Sequence, residues 1–154
     1  MALSSDDPIA GTPGQRSIRM ALMKWSSKYS VGVKTLNSQH TVLFDILNEL
    51  HAAMMKGQAS SVNGPLLHKL VDYTLGHFAA EEQMMTATRY PGLFQHRAKH
   101  HKLTRQVGEF VERYERGESR LNVELLNFLS DWLTNHILKS DKEYGPWLNE
   151  RGVI

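Results

Sequence analysis

Seven side chains in the sequence have the types and spacing to bind metal together: His40, His77, Glu81, His96, His100, His136 and Asp141. His77-x-x-x-Glu81 and His96-x-x-x-His100 are i,i+4 pairs, which share one helix face and can reach a common ion. Imidazole nitrogen suits iron, zinc, copper or nickel, and carboxylates suit harder, higher-valent ions. Five imidazoles and two carboxylates exceed the needs of one tetrahedral zinc. They suit two ions bridged by both carboxylates, with three imidazoles on one ion and two on the other. Once a solvent-derived bridge is counted, the second ion keeps an open position, where a small molecule would bind.

The elements that must position these groups follow from periodicity. Four helical segments are expected: about Asn37 to Met55, Asn63 to Thr86, Leu93 to Arg116, and Ser119–Asn122 to just before Gly145-Pro146. Lys56-Gly57, Tyr90-Pro91-Gly92 and Gly117 separate them. Short connections between long helices favour antiparallel neighbours, so the expected fold is all-α, an antiparallel up-down-up-down four-helix bundle. The apolar stripes run Leu36, His40, Leu43, Leu47, Leu50, Met54 in the first helix and Leu66, Leu70, Thr74, His77, Glu81, Met84 in the second. They run Leu93, His96, His100, Leu103, Val107, Phe110, Tyr114 in the third and Leu125, Leu129, Trp132, His136 in the fourth. The polar intrusions fall at the first, last, first and last ends, which an antiparallel bundle brings to one level. Burying that layer without a cation would be costly. Asp141 lies five residues past His136, roughly 140° round a regular α-helix. Either the fourth helix loosens there or Asp141 reaches back from its last turn.

Residues 1–19, rich in Ser, Asp, Pro and Gly, form an expected disordered lead-in to a domain over 20–154. Met23 to Val33, with Trp25, Tyr29, Val31 and Val33 but no helical period, is expected to be an N-terminal arm packed over one end of the bundle. The absence of Cys excludes a disulfide framework, thiolate zinc, a Cys-ligated iron–sulfur cluster and a Cys nucleophile. A formal charge of +2, with Lys and Arg scattered along the chain, argues against nucleic acid or a polybasic membrane patch. No apolar run approaches a membrane span and no signal-peptide core opens the chain, so the cytoplasm is the expected compartment. No helix carries a second long apolar stripe, so a monomer is expected.

The residues also match a known family. Val31-Gly32-Val33, Gln39-His40, His77-Phe78-Ala79-Ala80-Glu81-Glu82, Tyr90-Pro91, His96-Arg97-Ala98-Lys99-His100 and Trp132-Leu133-Thr134-Asn135-His136 with Asp141 resemble the hemerythrins, specifically the stand-alone bacterial form. The resemblance spans about Met23 to Leu148. It implies a non-heme diiron site that binds O₂ reversibly. His96, His100 and His136 would ligate one iron and His40 and His77 the other. Glu81 and Asp141 would bridge beside an oxo or hydroxo group, and the His40/His77 iron would take up O₂. The family usually has an acid three residues before the first His ligand; Asn37 stands there instead.

Some neighbours invite a role of their own. Leu43, Phe78 and Leu133 each sit one to three residues from a ligand position and are expected to line the O₂ pocket. Glu82 lies one step round from Glu81 and is expected at the surface or just behind the ligands; His101, one step round from His100, is expected to be exposed. His51 and His68 fall off their stripes and are expected in solvent. The expected function is an oxygen carrier, store or donor, with an O₂-consuming enzyme as a downstream partner. With thirteen residues after Asp141, a sensor module is the less expected role. A diiron enzyme acting on peroxide, NO or ferrous iron is the alternative, and a metal-free structural bundle the bland one.

Overall fold

A computed structural model describes residues 22–57, 60–118, 120 and 122–154. The expected lead-in, 1–19, lies outside them. The long elements are α1 (Lys34–Met55), α2 (Ser60–Ala87), α3 (Leu93–Glu115) and α4 (Val123–Asn135), followed without a break by a π-helical segment, His136–Asp141, and α5 (Lys142–Glu150). Among the described residues there is no strand, and no helix is long and apolar enough to cross a membrane.

α1 packs against α2 and α4, and α2 packs against α3. His40 near the start of α1 meets Glu81 near the end of α2 and Asp141 just beyond α4, and Asp141 in turn meets His96 at the start of α3. Consecutive helices therefore run antiparallel, as an up-down-up-down bundle requires. The core contains Leu36, Leu43, Phe44, Leu47 and Leu50 from α1, Leu67, Leu70 and Met85 from α2, Leu103 and Phe110 from α3, and Leu126 and Leu129 from α4. Several deep positions lie one residue beyond the expected stripe: Leu67, Met85 and Leu126 are buried, whereas Leu66, Met84 and Leu125 are only half-buried.

Two boundaries differ from expectation. α2 begins at Ser60, which puts Pro65 on its second turn rather than its first. Nor does the last helix end at Gly145-Pro146, since α5 carries Pro146 inside it. Pro146 cannot donate a helical hydrogen bond, and its helix follows directly on the π segment, where the helical register has already changed. Gly145 has a separate reason. A Cβ there would strike the backbone carbonyl of Val31, so glycine lets the arm lie flush against α5.

The arm is ordered and buried where it meets the bundle. Asn48 Oδ1 accepts from Met23 N at 2.8 Å, and its Nδ2 donates to Met23 O at 2.7 Å. Tyr29 packs its edge on Phe44, 5.1 Å between centroids. Asn37 accepts from Val31 N at 2.9 Å and donates to Ser30 Oγ at 2.9 Å. The amide thus both accepts from and donates to the arm, and a carboxylate could only accept.

Candidate metal centre

All seven sequence-predicted side chains converge in one layer, and none is more than 6% exposed. α1 supplies His40, α2 His77 and Glu81, α3 His96 and His100, and the π segment His136 and Asp141. The π segment resolves the five-residue spacing. Lys142 N bonds to Ile137 O, an i→i+5 step. That wider turn takes more residues than an α turn, so groups five apart return to one face. His136 Nε2 and Asp141 Oδ1 stand 3.0 Å apart. Lys99 Nζ donates to Ser140 Oγ at 2.8 Å, tying the segment to α3.

The two carboxylates divide the imidazoles into two sets. Glu81 Oε1 faces His77 Nε2 at 2.7 Å and His40 Nε2 at 3.3 Å. Its other oxygen, Oε2, faces His96 Nε2 at 3.2 Å and His100 Nε2 at 3.2 Å. Asp141 repeats the division: Oδ2 faces His40 Nε2 at 3.1 Å, and Oδ1 faces His96 and His136, each at 3.0 Å. Two groups of potential ligand atoms result, Glu81, His96, His100, His136 and Asp141 in one, His40, His77, Glu81 and Asp141 in the other. Both share the same two carboxylates.

The donors fit cations better than they fit each other. His77 Nδ1 donates to Gln39 Oε1 at 2.6 Å, and His100 Nδ1 donates to Glu82 Oε2 at 2.9 Å. A neutral imidazole that donates through Nδ1 presents a lone pair at Nε2. Those lone pairs point at carboxylate oxygens, acceptor against acceptor. His100 Nε2 and His136 Nε2 also face each other, at 3.2 Å. Both Asp141 oxygens are fully buried without a hydrogen bond of good geometry. Cations between the facing atoms would remove these conflicts, and outward Nδ1–H donation is how metal-bound histidines are held.

The polypeptide alone shows the same strain in its titration. Burial opposes charge on His40 and His96, but Asp141 and Glu81 outweigh it and push both imidazoles up to about 9. Burial likewise raises Glu81 and Asp141, yet the surrounding histidines hold both carboxyls well below the usual carboxylate range. Without a metal, the layer draws its positive charge from protons on His40 and His96.

Several contacts around the layer were not legible as such. Gln39 was visible only as the neighbour of His40. Tyr144, fully buried, donates its hydroxyl to Glu81 Oε1 at 3.0 Å, and burial raises its pKa well above the ordinary tyrosine value. Its signal was its place three residues past Asp141. Glu82 lies behind His100 and also accepts from Arg97 Nε at 2.8 Å. His101 and His68 are exposed, His68 paired with Glu115 at 2.7 Å, and His51 is half-buried.

Beside the layer an apolar cavity of about 220 Å³ runs through the bundle. Leu43, Phe78 and Leu133 all line it, with Leu47, Leu103 and Leu129 farther along. Phe78 stacks on His100, centroids 3.7 Å apart and planes 5° from parallel, while Trp132 stacks on His136 at 4.4 Å. The cavity wall is continued toward the surface by Leu75, which is exposed.

Comparison with known proteins gives a consistent picture. A family model described as the Hemerythrin HHE cation binding domain matches residues 31–148. The bacteriohemerythrin of Methylococcus capsulatus is 37% identical over 131 residues, covering 84% of this chain and 99% of that protein. The bacteriohemerythrin of Stenotrophomonas maltophilia is 36% identical over 125 residues, covering 81% of this chain and 80% of that one. A crystal structure of a wild-type hemerythrin superposes with a TM-score of 0.80 at 36% identity, covering 83% of this chain and 98% of that chain.

Proposed function

Because the chain belongs to the hemerythrin family, we propose that it binds O₂ reversibly at a non-heme diiron centre. In this reading His96, His100 and His136 would hold one iron, and His40 and His77 would hold the other. Glu81 and Asp141 would be shared between them, beside an oxo or hydroxo group. One observation carries the assignment: each carboxylate turns one oxygen to the two-histidine set and the other to the three-histidine set. When bound, the ferrous pair supplies the electrons that O₂ accepts on uptake and returns on release.

The side chains around the site favour reversible binding over turnover. The set with two imidazoles rather than three is the side on which a small ligand would bind. The cavity beside the layer is lined by Leu43, Phe78 and Leu133, which offer no proton to an O–O bond. An apolar wall also excludes water and slows irreversible oxidation. Tyr144 donates to Glu81 and does not line the cavity, and its raised pKa keeps the proton in place; Thr74, which does line the cavity, donates its hydroxyl to Leu70 O. Gln39 and Glu82 fix the rings of His77 and His100 through Nδ1, so the Nε2 lone pairs stay aimed inward. We place the protein in the cytoplasm as a monomeric carrier, store or donor of O₂ to an O₂-consuming enzyme.

The test is anaerobic reduction, admission of O₂, and removal of O₂ under vacuum, followed by visible charge-transfer bands. Full recovery of the reduced spectrum is expected. Failure to recover it, or steady turnover of peroxide, NO or ferrous iron well above autoxidation, would overturn reversible carriage.

A further inference from the structure

The outer face of α3 carries a feature the O₂ reading does not use. Phe94, Arg97, His101 and Arg105 follow at spacings of three, four and four, so they form one stripe, with Lys102 at its edge. All five are exposed, and Phe94 is 80% exposed. Between residues 93 and 108 there are four Lys and Arg and no acid. The chain's 18 Lys and Arg, less these four, are outnumbered by its 16 Asp and Glu. The net positive charge of the protein is therefore concentrated on this half-helix. Among the described residues, Lys102 and Arg105 have no ion pair; Arg97 has one, with Glu82. Glu143 lies near Lys99 across a hollow at Tyr90–Gly92, off the stripe.

That ion pair connects the stripe to the metal layer. Arg97 Nε donates to Glu82 Oε1 at 2.8 Å, and Glu82 Oε2 accepts from His100 Nδ1 at 2.9 Å. Two hydrogen bonds thus lead from an inward-facing imidazole to a half-exposed guanidinium. Resting on the proposed diiron reading, a second need follows: iron that has gone to the diferric state must be reduced before it can bind O₂ again. The buried layer is closed to a protein reductant, so electrons must enter where a ligand ring comes nearest a dockable surface.

We propose that the α3 stripe is the docking face for an acidic, one-electron carrier protein, with Phe94 as the apolar anchor at its end and Arg97–Glu82–His100 as the route inward. Two reduced carriers each give up one electron, and the two ferric ions take up one each. A basic stripe that starts beside one exposed aromatic ring complements an acidic surface and steers its approach. Nucleic acid and anionic lipid are the competing occupants, and neither explains the hydrogen-bonded connection to His100.

An acidic plant-type [2Fe–2S] ferredoxin serves as the probe. Its binding to the full chain is followed by calorimetry, and its reduction of the diferric protein by stopped flow, with the methyl viologen radical as a small reductant that needs no docking. We expect the wild-type ferredoxin rate to fall at least tenfold as ionic strength rises from ~0.01 to ~1 M, where the screening length shrinks from ~30 to ~3 Å. The variant F94S/K102E/R105E should weaken ferredoxin binding and slow its electron transfer at least tenfold at low salt. Its methyl viologen rate and melting temperature should stay at wild-type values. Arg97→Gln should slow transfer more than it weakens binding. Unchanged binding and rate in the triple variant, or a salt-independent wild-type rate, would overturn the proposal. So would tight binding of poly(U) or phosphatidylserine vesicles without binding of ferredoxin. Iron content and O₂ spectra are measured in parallel, and calorimetric binding does not depend on iron, so failure of the docking face is distinguishable from failure of the diiron reading.

Discussion

Replacing Phe78 with Ala removes a ring that is 4% exposed, lies flat on His100 and walls the apolar cavity. Core Phe→Ala changes cost ~3–5 kcal/mol, and the loss grows with the space that cannot collapse. Here the deleted ring would merge with an existing cavity of about 220 Å³ held open by four helices, so collapse is restricted. The expected loss lies in the upper half of the range, ~4–5 kcal/mol. Against a typical domain stability of ~5–15 kcal/mol that is a large fraction. For a chain of this length it corresponds to a melting temperature lower by roughly 8–20 °C. The assay is urea unfolding of chelator-treated protein by circular dichroism, so that metal release does not enter the transition. Phe78→Leu, which keeps most of the volume, should lose ~1–2 kcal/mol. In the iron-loaded protein Phe78→Ala should also speed autoxidation, because water gains the space beside His100. A loss below ~1 kcal/mol in urea would refute the view that this ring is a packed wall.

Gly145→Ala should push the Val31 carbonyl away and cost ~1–3 kcal/mol, read as a lower melting temperature and faster proteolysis of the arm. Gln39→Leu leaves His77 Nδ1–H without its acceptor and should weaken iron affinity ~10–100-fold in a chelator competition, while Gln39→Glu should not. Metal-free protein should show a specific pH dependence. Folded His40 and His96 hold their protons to about 9, whereas unfolded histidine titrates near ~6.5. Their stabilisation is full below the unfolded value and fades as pH rises through the folded one, so the metal-free melting temperature should fall across that window. Iron-loaded protein, its Nε2 atoms engaged, should not follow this trend; a metal-free melting temperature that rises over the window would contradict the arrangement of charges.

The convergence of the seven polar side chains was legible because their types are costly in a core and their spacing is local. His77 with Glu81 and His96 with His100 needed only the α-helical repeat. His136 and Asp141 were legible only as a conflict, since choosing an i→i+5 bond over an i→i+4 bond is made by packing, here aided by the Lys99–Ser140 contact. Gly145-Pro146 looked like a helix end because local rules assign glycine and proline to breaks; the arm's approach, a contact over more than a hundred residues, overrides them. The one-residue drift of the deep positions, Leu67 for Leu66 and Leu126 for Leu125, reflects helices rotated by their neighbours rather than by their own periodicity. Glu82 stands just behind His100, one of the two places its spacing allowed, whereas Tyr144 reaches Glu81 from another helix, so spacing alone gave it no role.

The central claim is that these seven side chains hold two irons that share Glu81 and Asp141. Anomalous diffraction at the iron edge, on crystals of protein purified with its metal, tests it most directly. Two peaks per chain are predicted, one contacted by His40 and His77, the other by His96, His100 and His136, with both carboxylates between them. A single peak, or two peaks that share no carboxylate, would contradict the account.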